Sequence, residues 1–180
     1  MILLGLGSNR AGDWGTPAET LDRVGRELAA AGCPVTHRSP LYVTAALGPE
    51  PQDAFVNGVL AISSSLPPEA LLRRLKGLER CAGRRSGRRW GPRALDIDIL
   101  DYRGLVRGWS ASSPVRDRMR PPPLVLPHPQ LHVRPFVLLP LLDVAPRWRH
   151  PVLKQSAQQL WNRVRQQSEG RVLKRLETAR

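Results

Sequence analysis

A chain of 180 residues, 41% of them apolar, can bury one sizeable core, and a formal charge of +13, from 28 Lys and Arg against 15 Asp and Glu, calls for an anionic partner. Two cysteines, Cys33 and Cys81, with no CxxC pair, argue against a structural zinc site and a disulfide scaffold. No apolar run reaches the ~18 residues of a membrane span, and MILLGLG is too short for a secretory core and follows no basic residue, so the expectation is a soluble, cytoplasmic protein.

In chain order, Ile2–Gly7 predicts a short buried strand ending in the turn Gly7-Ser8-Asn9. Thr16-Pro17-Ala18-Glu19 is a capping box with proline at the first helical position. Leu21, Val24, Leu28 and Ala31 follow at helical spacing until Gly32 stops the helix. Val35–Val43 favours a second strand, Gly48, Pro49 and Pro51 a loop, and Phe55–Ser63 a third strand. Ser65 with Pro67, Pro68 and Glu69 opens a second helix whose apolar face is Leu71, Leu72, Leu75 and Leu78. Arg84 to Arg93 is a basic loop, and Leu95–Asp101 is a fourth strand.

That order, β-α-β-β-α-β, is the ferredoxin-like one: an α+β fold with helices on one face of a mainly antiparallel sheet. A C-terminal extension follows. Leu105–Pro123, rich in Arg, Ser and Pro, reads as a long loop. Val133–Leu142 predicts a short helix despite Pro135 and Pro140, Ser156–Gln167 a helix with Leu160, Trp161 and Val164 on one side, and Arg171–Leu176 a last strand. No repeat or linker divides residues 1–180, so one domain is expected.

The fourth strand carries the chemistry. Side chains alternate along a strand, so Leu95, Ile97 and Ile99 point toward a core while Asp96 and Asp98 point together to the other face, ~7 Å apart. Two such carboxylates can lean around one or two hard cations, and magnesium suits them, because it leaves its other positions to water and phosphate. A bare DxD on a wet strand face is more simply an ordinary alternation. The preceding segment changes that balance: Arg73 to Arg93 holds nine Lys and Arg and one acid, Glu79. Acids for a metal beside bases for phosphates are what a metal–polyphosphate complex requires. Trp90 either stacks on a base or packs under the loop. His128, between prolines, reads from the residues alone as a surface histidine, with a phosphate donor as the alternative.

The run Arg89-Trp90-Gly91-Pro92-Arg93-Ala94-Leu95-Asp96-Ile97-Asp98-Ile99-Leu100 resembles the signature of the 6-hydroxymethyl-7,8-dihydropterin pyrophosphokinase family. Gly7-Ser8-Asn9, Tyr42-Val43-Thr44 with Leu47-Gly48-Pro49, Phe55-Val56-Asn57, Leu126-Pro127-His128-Pro129, and Arg134 with Phe136 match in order over residues 2–146. The resemblance implies a folate-synthesis enzyme that moves the β,γ-pyrophosphoryl group of MgATP to the pterin hydroxymethyl oxygen and releases AMP. It implies two magnesium ions on Asp96 and Asp98, with Arg93 and Arg84 gripping phosphates. Glu79, Arg89, Trp90, Ile99, His128 and Arg134 would serve the nucleotide. Thr44, Leu47 and Asn57 would frame the pterin, with Phe55 and Phe136 above and below its ring. The partners expected are these small molecules only, with no nucleic acid or membrane, and the chain is expected to be a monomer.

The chain also departs from that family. Thr44-Ala45-Ala46 stands where Thr-Pro-Pro is common, Phe55 where Tyr is frequent, and Pro123 and Val125 where Arg and Thr are often found. Trp109–Pro123 reads as an insertion. The second reading is a ferredoxin-like RNA-binding protein, for which the charge is suited but the middle strands offer few aromatics beyond Tyr42 and Phe55.

Overall fold

The computed structural model describes residues 1–46, 52–84, 93–109 and 124–176. Strand β1 (Ile2–Ser8) leads to helix α1 (Pro17–Ala30), then β2 (Val35–Arg38), β3 (Tyr42–Thr44) and β4 (Phe55–Ile62). Helix α2 (Pro68–Cys81), β5 (Asp96–Tyr102), a single 3-10 turn (Leu131–Val133), α3 (Pro135–Val144), α4 (Ala157–Val164) and β6 (Val172–Arg175) complete it. The strands form one sheet in the order β5-β1-β4-β3-β6, with β2 also on β4, and the pairings are antiparallel. The β-α-β-β-α-β core expected from the sequence is therefore present.

Helix α1 starts as its capping box dictates. Thr16 accepts from the Glu19 amide, and the Glu19 carboxylate accepts from the Thr16 amide at 2.8 Å. The expected strand over 35–43 is instead two strands broken at Pro40, which has no amide for the ladder. Ser39 fills the gap: its hydroxyl accepts from the Val59 amide at 2.9 Å, and its own amide donates to the Val59 carbonyl at 3.0 Å. β2 then pairs with the end of β4 and β3 with its beginning.

Helices cover both faces of the sheet, not one. Leu21, Val24 and Leu28 of α1 and Leu71 and Leu75 of α2 pack on Leu4, Leu6, Leu60, Ile97 and Ile99. On the opposite face, Leu138 and Leu141 of α3 and Leu160 and Val164 of α4 pack on Leu3, Val59 and Leu100. Sequence periodicity fixes which side of a helix is apolar. It does not fix which face of the sheet receives it, so the C-terminal helices were not placed. In α3 almost every residue is apolar, and Pro140 is accommodated within it although its missing amide leaves the Phe136 carbonyl without its helical donor.

Of the expected long loop, Arg107 and Leu126 exchange two backbone hydrogen bonds, 2.8 and 2.9 Å, that close its base. Residues 110–123 lie outside the described residues. Among the described residues no helix is long and apolar enough to cross a membrane.

Candidate functional site

On the α3 side of the sheet, residues at one end present an unusual floor. β1 alternates Leu4 and Leu6 into one core and Gly5 and Gly7 onto the other face. Gly7 pairs with Asp96 on one side and Asn57 on the other, and Gly5 pairs with Asp98. Asp96, Gly7 and Asn57 thus form one row across three strands. With neighbouring strands ~4.8 Å apart, the carboxylate and amide positions lie about 10 Å from each other. No side chain stands between them, and a cavity of about 190 Å³ opens there, lined also by Thr44, Phe55, Arg93, Arg134 and Phe136.

Asp96 heads a charge network. Its carboxylate accepts from Arg84 at 2.6 Å and from Arg93 at 2.5 Å, with Lys76 at 3.9 Å. Burial pushes this carboxyl up, but Arg93, Arg84 and Lys76 together outweigh burial and hold it below the ordinary carboxylate range. Glu79 lies behind it, 1% exposed. Its carboxylate accepts from the Ile97 amide (2.8 Å) and Lys76 (2.7 Å), and Arg84 sits 2.5 Å from the other oxygen. Burial raises the Glu79 carboxyl, with Lys76 opposing. Glu79 therefore ties the end of α2 to the start of β5 and aims Arg84 at Asp96.

Asp98 faces different partners. His128 Nε2 lies 3.7 Å and Arg134 3.9 Å from its Oδ2. The Gln130 amide donates to His128 Nδ1 at 3.1 Å, which places the proton of the neutral ring on Nε2, toward Asp98. Burial lowers the His128 imidazole, with Asp98 acting against it. The Leu126–Pro127 peptide just ahead is cis.

The other end of the cavity is apolar with one amide. Asn57 is 4% and Thr44 1% exposed. Asn57 Nδ2 donates to Thr44 Oγ1 at 2.7 Å, leaving Oδ1 directed at Gly7, where an added Cβ would meet it at 3.0 Å. Phe55 and Phe136 supply aromatic surface, and the Arg134 guanidinium sits 5.6 Å from the Phe136 ring centre. Such a slot takes a flat ring with a polar edge.

Of the residues expected from the sequence, Arg93, Asp96, Asp98, Arg134, Thr44, Phe55, Asn57 and Phe136 line this cavity. Arg84, Glu79 and His128 border it through the pairs above. The Ile99 side chain is 3% exposed and packed under α1 and α2, because it shares the strand face of Ile97. Only its main chain remains for a nucleotide. Leu47, Arg89 and Trp90 lie outside the described residues.

Three features were missed. Lys76 joins the acidic network from α2. Gly5 and Gly7 clear the floor, and two glycines at strand spacing in an otherwise apolar run were the available signal. Ser8 and Asn9 do more than turn the chain. Asn9 Oδ1 accepts from the Arg93 amide at 2.8 Å, the Asn9 amide donates to the Arg93 carbonyl at 3.1 Å, and Ser8 Oγ donates to the Ala94 carbonyl at 2.7 Å. The end of β1 thereby clamps the approach to β5 and sets where Arg93 stands.

Residues 3–146 match the family model described as 7,8-dihydro-6-hydroxymethylpterin-pyrophosphokinase (HPPK). The chain is 41% identical over 144 residues to a 2-amino-4-hydroxy-6-hydroxymethyldihydropteridine pyrophosphokinase of Methylorubrum extorquens, covering 79% of this chain and 81% of that one. A relative of the same name from Synechocystis is 37% identical over 151 residues, covering 83% and 68%. Among solved structures, Plasmodium falciparum HPPK-DHPS superimposes with a TM-score of 0.63 at 16% identity over 90% of this chain, which speaks to the fold. The chain spans 43% of that longer protein.

Proposed function

Since the chain belongs to the 7,8-dihydro-6-hydroxymethylpterin-pyrophosphokinase family, we propose how its own residues carry out the family's reaction. It is an ATP-dependent pyrophosphokinase of folate biosynthesis acting on small molecules. The hydroxymethyl oxygen of 6-hydroxymethyl-7,8-dihydropterin attacks the β-phosphorus of ATP. The bond from that phosphorus to the α-phosphate oxygen breaks, AMP leaves, and the hydroxyl proton is released.

The observation that carries the assignment of roles is the row Asp96–Gly7–Asn57, which puts a charged end and a ring-binding end on one floor about 10 Å apart. Phe55 and Phe136 hold the pterin ring by stacking, while Asn57, fixed by Thr44, offers its Oδ1 to the ring's N–H edge. The donor set at the other end suits magnesium: two carboxylates on one strand face, with room for phosphate oxygens and water. Asp96 and Asp98 would hold two such ions, which neutralise phosphate charge and lower the pKa of the attacking hydroxyl. Arg84 and Arg93, paired with Asp96 here, turn to the phosphates when the polyanion arrives, and His128 and Arg134 bind it from the Asp98 side. Catalysis is then positioning and charge compensation, with no side-chain base needed.

AMP release from ATP should require both magnesium and the hydroxymethyl pterin. Asp96→Ala and Asp98→Ala should each lower kcat by about a hundredfold or more, in the range seen when a preorganised charge-stabilising group is lost. AMP formed equally fast without the pterin, or an unchanged rate in Asp96→Ala, would refute these assignments. The RNA-binding reading finds no favouring observation, since α3 and α4 pack on the sheet face that an RNA platform would need open.

A further inference from the structure

His128 and Arg134 reach Asp98 from a segment with almost no structure of its own. Between them lies one 3-10 turn, Leu131–Val133. A turn that short does not hold itself in place. Leu131 is fully buried, and the His128 amide donates to the Leu100 carbonyl at 2.9 Å, which fixes the start of the segment. Its far end is the N-cap of α3, where the Arg134 carbonyl accepts from the Val137 and Leu138 amides at 3.1 Å and the guanidinium donates to Gln130 Oε1. Between these anchors the turn rests on a cluster outside the cavity. The His132 ring packs edge-on against His150 with centres 5.8 Å apart, Trp109 lies 6.0 and 5.5 Å from these two, and Trp148 lies 5.7 Å from His150.

This cluster is anchored. His150 is fully buried, and its Nδ1 accepts from the Val152 and Leu153 amides at 3.2 and 3.1 Å, so its ring cannot swing. Trp148 Nε1 donates to Asp101 Oδ2 at 2.8 Å, and the other oxygen of Asp101 accepts from the Gly104 amide at 2.7 Å. Asp101 is 4% exposed and lies three residues beyond Asp98 on the same strand. The contacts make a closed circuit. It runs from Asp98 along β5 to Asp101, through Trp148, His150 and His132, into the turn that ends at Arg134, and back to Asp98.

We infer that the Asp101–Trp148–His150–His132 chain is a positioning device that sets the distance of His128 and Arg134 from Asp98, and so tunes the nucleotide side of the cleft. Trp109, the first residue of the stretch read as inserted, joins the same cluster. The inference rests on the functional reading above and adds residues that touch neither substrate. His132 acts through ring shape, because its Nδ1 has no hydrogen-bond partner among the described residues. An apolar ring in its place should therefore serve, whereas removal of the ring should let the turn relax. Displacements of an ångström at positioning groups can cost up to two orders of magnitude, so a partial loss of about tenfold is expected.

The test measures, by calorimetry, the dissociation constants of a non-hydrolysable ATP analogue with magnesium and, separately, of the hydroxymethyl pterin. His132→Ala should weaken the nucleotide analogue about tenfold and leave the pterin within about twofold. His132→Phe should restore most of the loss. Trp148→Phe, which keeps a ring but cuts the link to Asp101, should fall between wild type and His132→Ala and guards against a variant that simply misfolds. Wild-type nucleotide affinity in both His132→Ala and Trp148→Phe overturns the inference, as does parallel weakening of both ligands. A wild-type protein that binds the pterin but no magnesium nucleotide sinks the functional reading itself.

Discussion

Gly7 stands where the floor of the cleft passes between the acids and Asn57. A methyl group there would sit 3.0 Å from Asn57 Oδ1 and 3.9 Å from the Phe55 ring. Asn57 cannot easily retreat, because its amide nitrogen is bonded to buried Thr44. Gly7→Ala should therefore raise the KM for the pterin about tenfold, or ~1.4 kcal/mol, while the KM for ATP stays near its wild-type value. Steady-state titration of each substrate distinguishes this from general destabilisation, which would leave both KM values alone and reduce only the active fraction. His150 makes a prediction of a different kind. Burial, with His132 beside it, holds its imidazole down to about 4 against an ordinary 6.5. Between those values the unfolded chain binds a proton that the folded one refuses. Stability from this residue is complete above pH 6.5 and lost as the pH falls toward 4, by up to about 1.4 kcal/mol per unit. Thermal melts from pH 7 to 5 should show a falling Tm, and His150→Asn, which keeps an acceptor for the two amides, should flatten that slope.

At the scale of elements, local signals were legible and distant ones were not. The capping box at Thr16, the alternation that buries Ile97 and turns the half-buried Asp96 and Asp98 to the other face, and the apolar faces of α1 and α2 all follow from spacing within a few residues. The break at Pro40 was signalled by the proline, yet the strand was expected to run through it; the serine that repairs the ladder pairs with β4, 20 residues on. The clamp of Asn9 on Arg93 spans 84 residues, and that of Ser8 on Ala94 spans 86. Nothing in a linear pattern brings such residues together before the β5-β1 pairing is known. The same holds for Arg84 meeting both Glu79 and Asp96, where the acid of one element and the acid of another share one guanidinium. Helix α4 supplies an element-scale test. Ser156 accepts from the Gln159 amide at 3.2 Å, and Gln159 returns a bond to the Ser156 amide at 2.9 Å. The helix has only eight residues, so its cap is a large part of its own stability. Ser156→Ala should cost about 1 kcal/mol and lower Tm by about 2–4 °C, with kcat unchanged, in a differential scanning measurement paired with the AMP assay.

For the molecule as a whole, the charge of +13 is not confined to the cleft. Near the site, Arg84, Arg93 and Lys76 are already engaged by Asp96 and Glu79, and Arg134 faces Asp98. Far along the chain, Arg147, Arg149, Lys154, Arg163, Arg165, Arg171, Lys174 and Arg175 are all exposed, against the single acid Glu169 in that stretch. Among the described residues, local pairing thus leaves the immediate surroundings of the cavity closer to balance, while the surplus far along the chain adds a long-range positive field. Such a field draws in a polyanion and is indifferent to a neutral ligand. The two substrates differ in this respect: ATP carries several negative charges and the dihydropterin none. Raising the ionic strength from about 0.02 to about 0.3 M shortens the screening length from roughly 20 to 6 Å. The association rate of a fluorescent ATP analogue, followed by stopped flow, should then fall several-fold, while that of the pterin should hold constant. Equal slowing of both ligands would mean that salt acts on the protein's conformation, and the surplus charge would then have no part in substrate capture. Replacing Arg149 and Arg165 together by glutamine, neither of which lines the cavity, should reproduce a fraction of the salt effect on nucleotide association and leave kcat at its wild-type value.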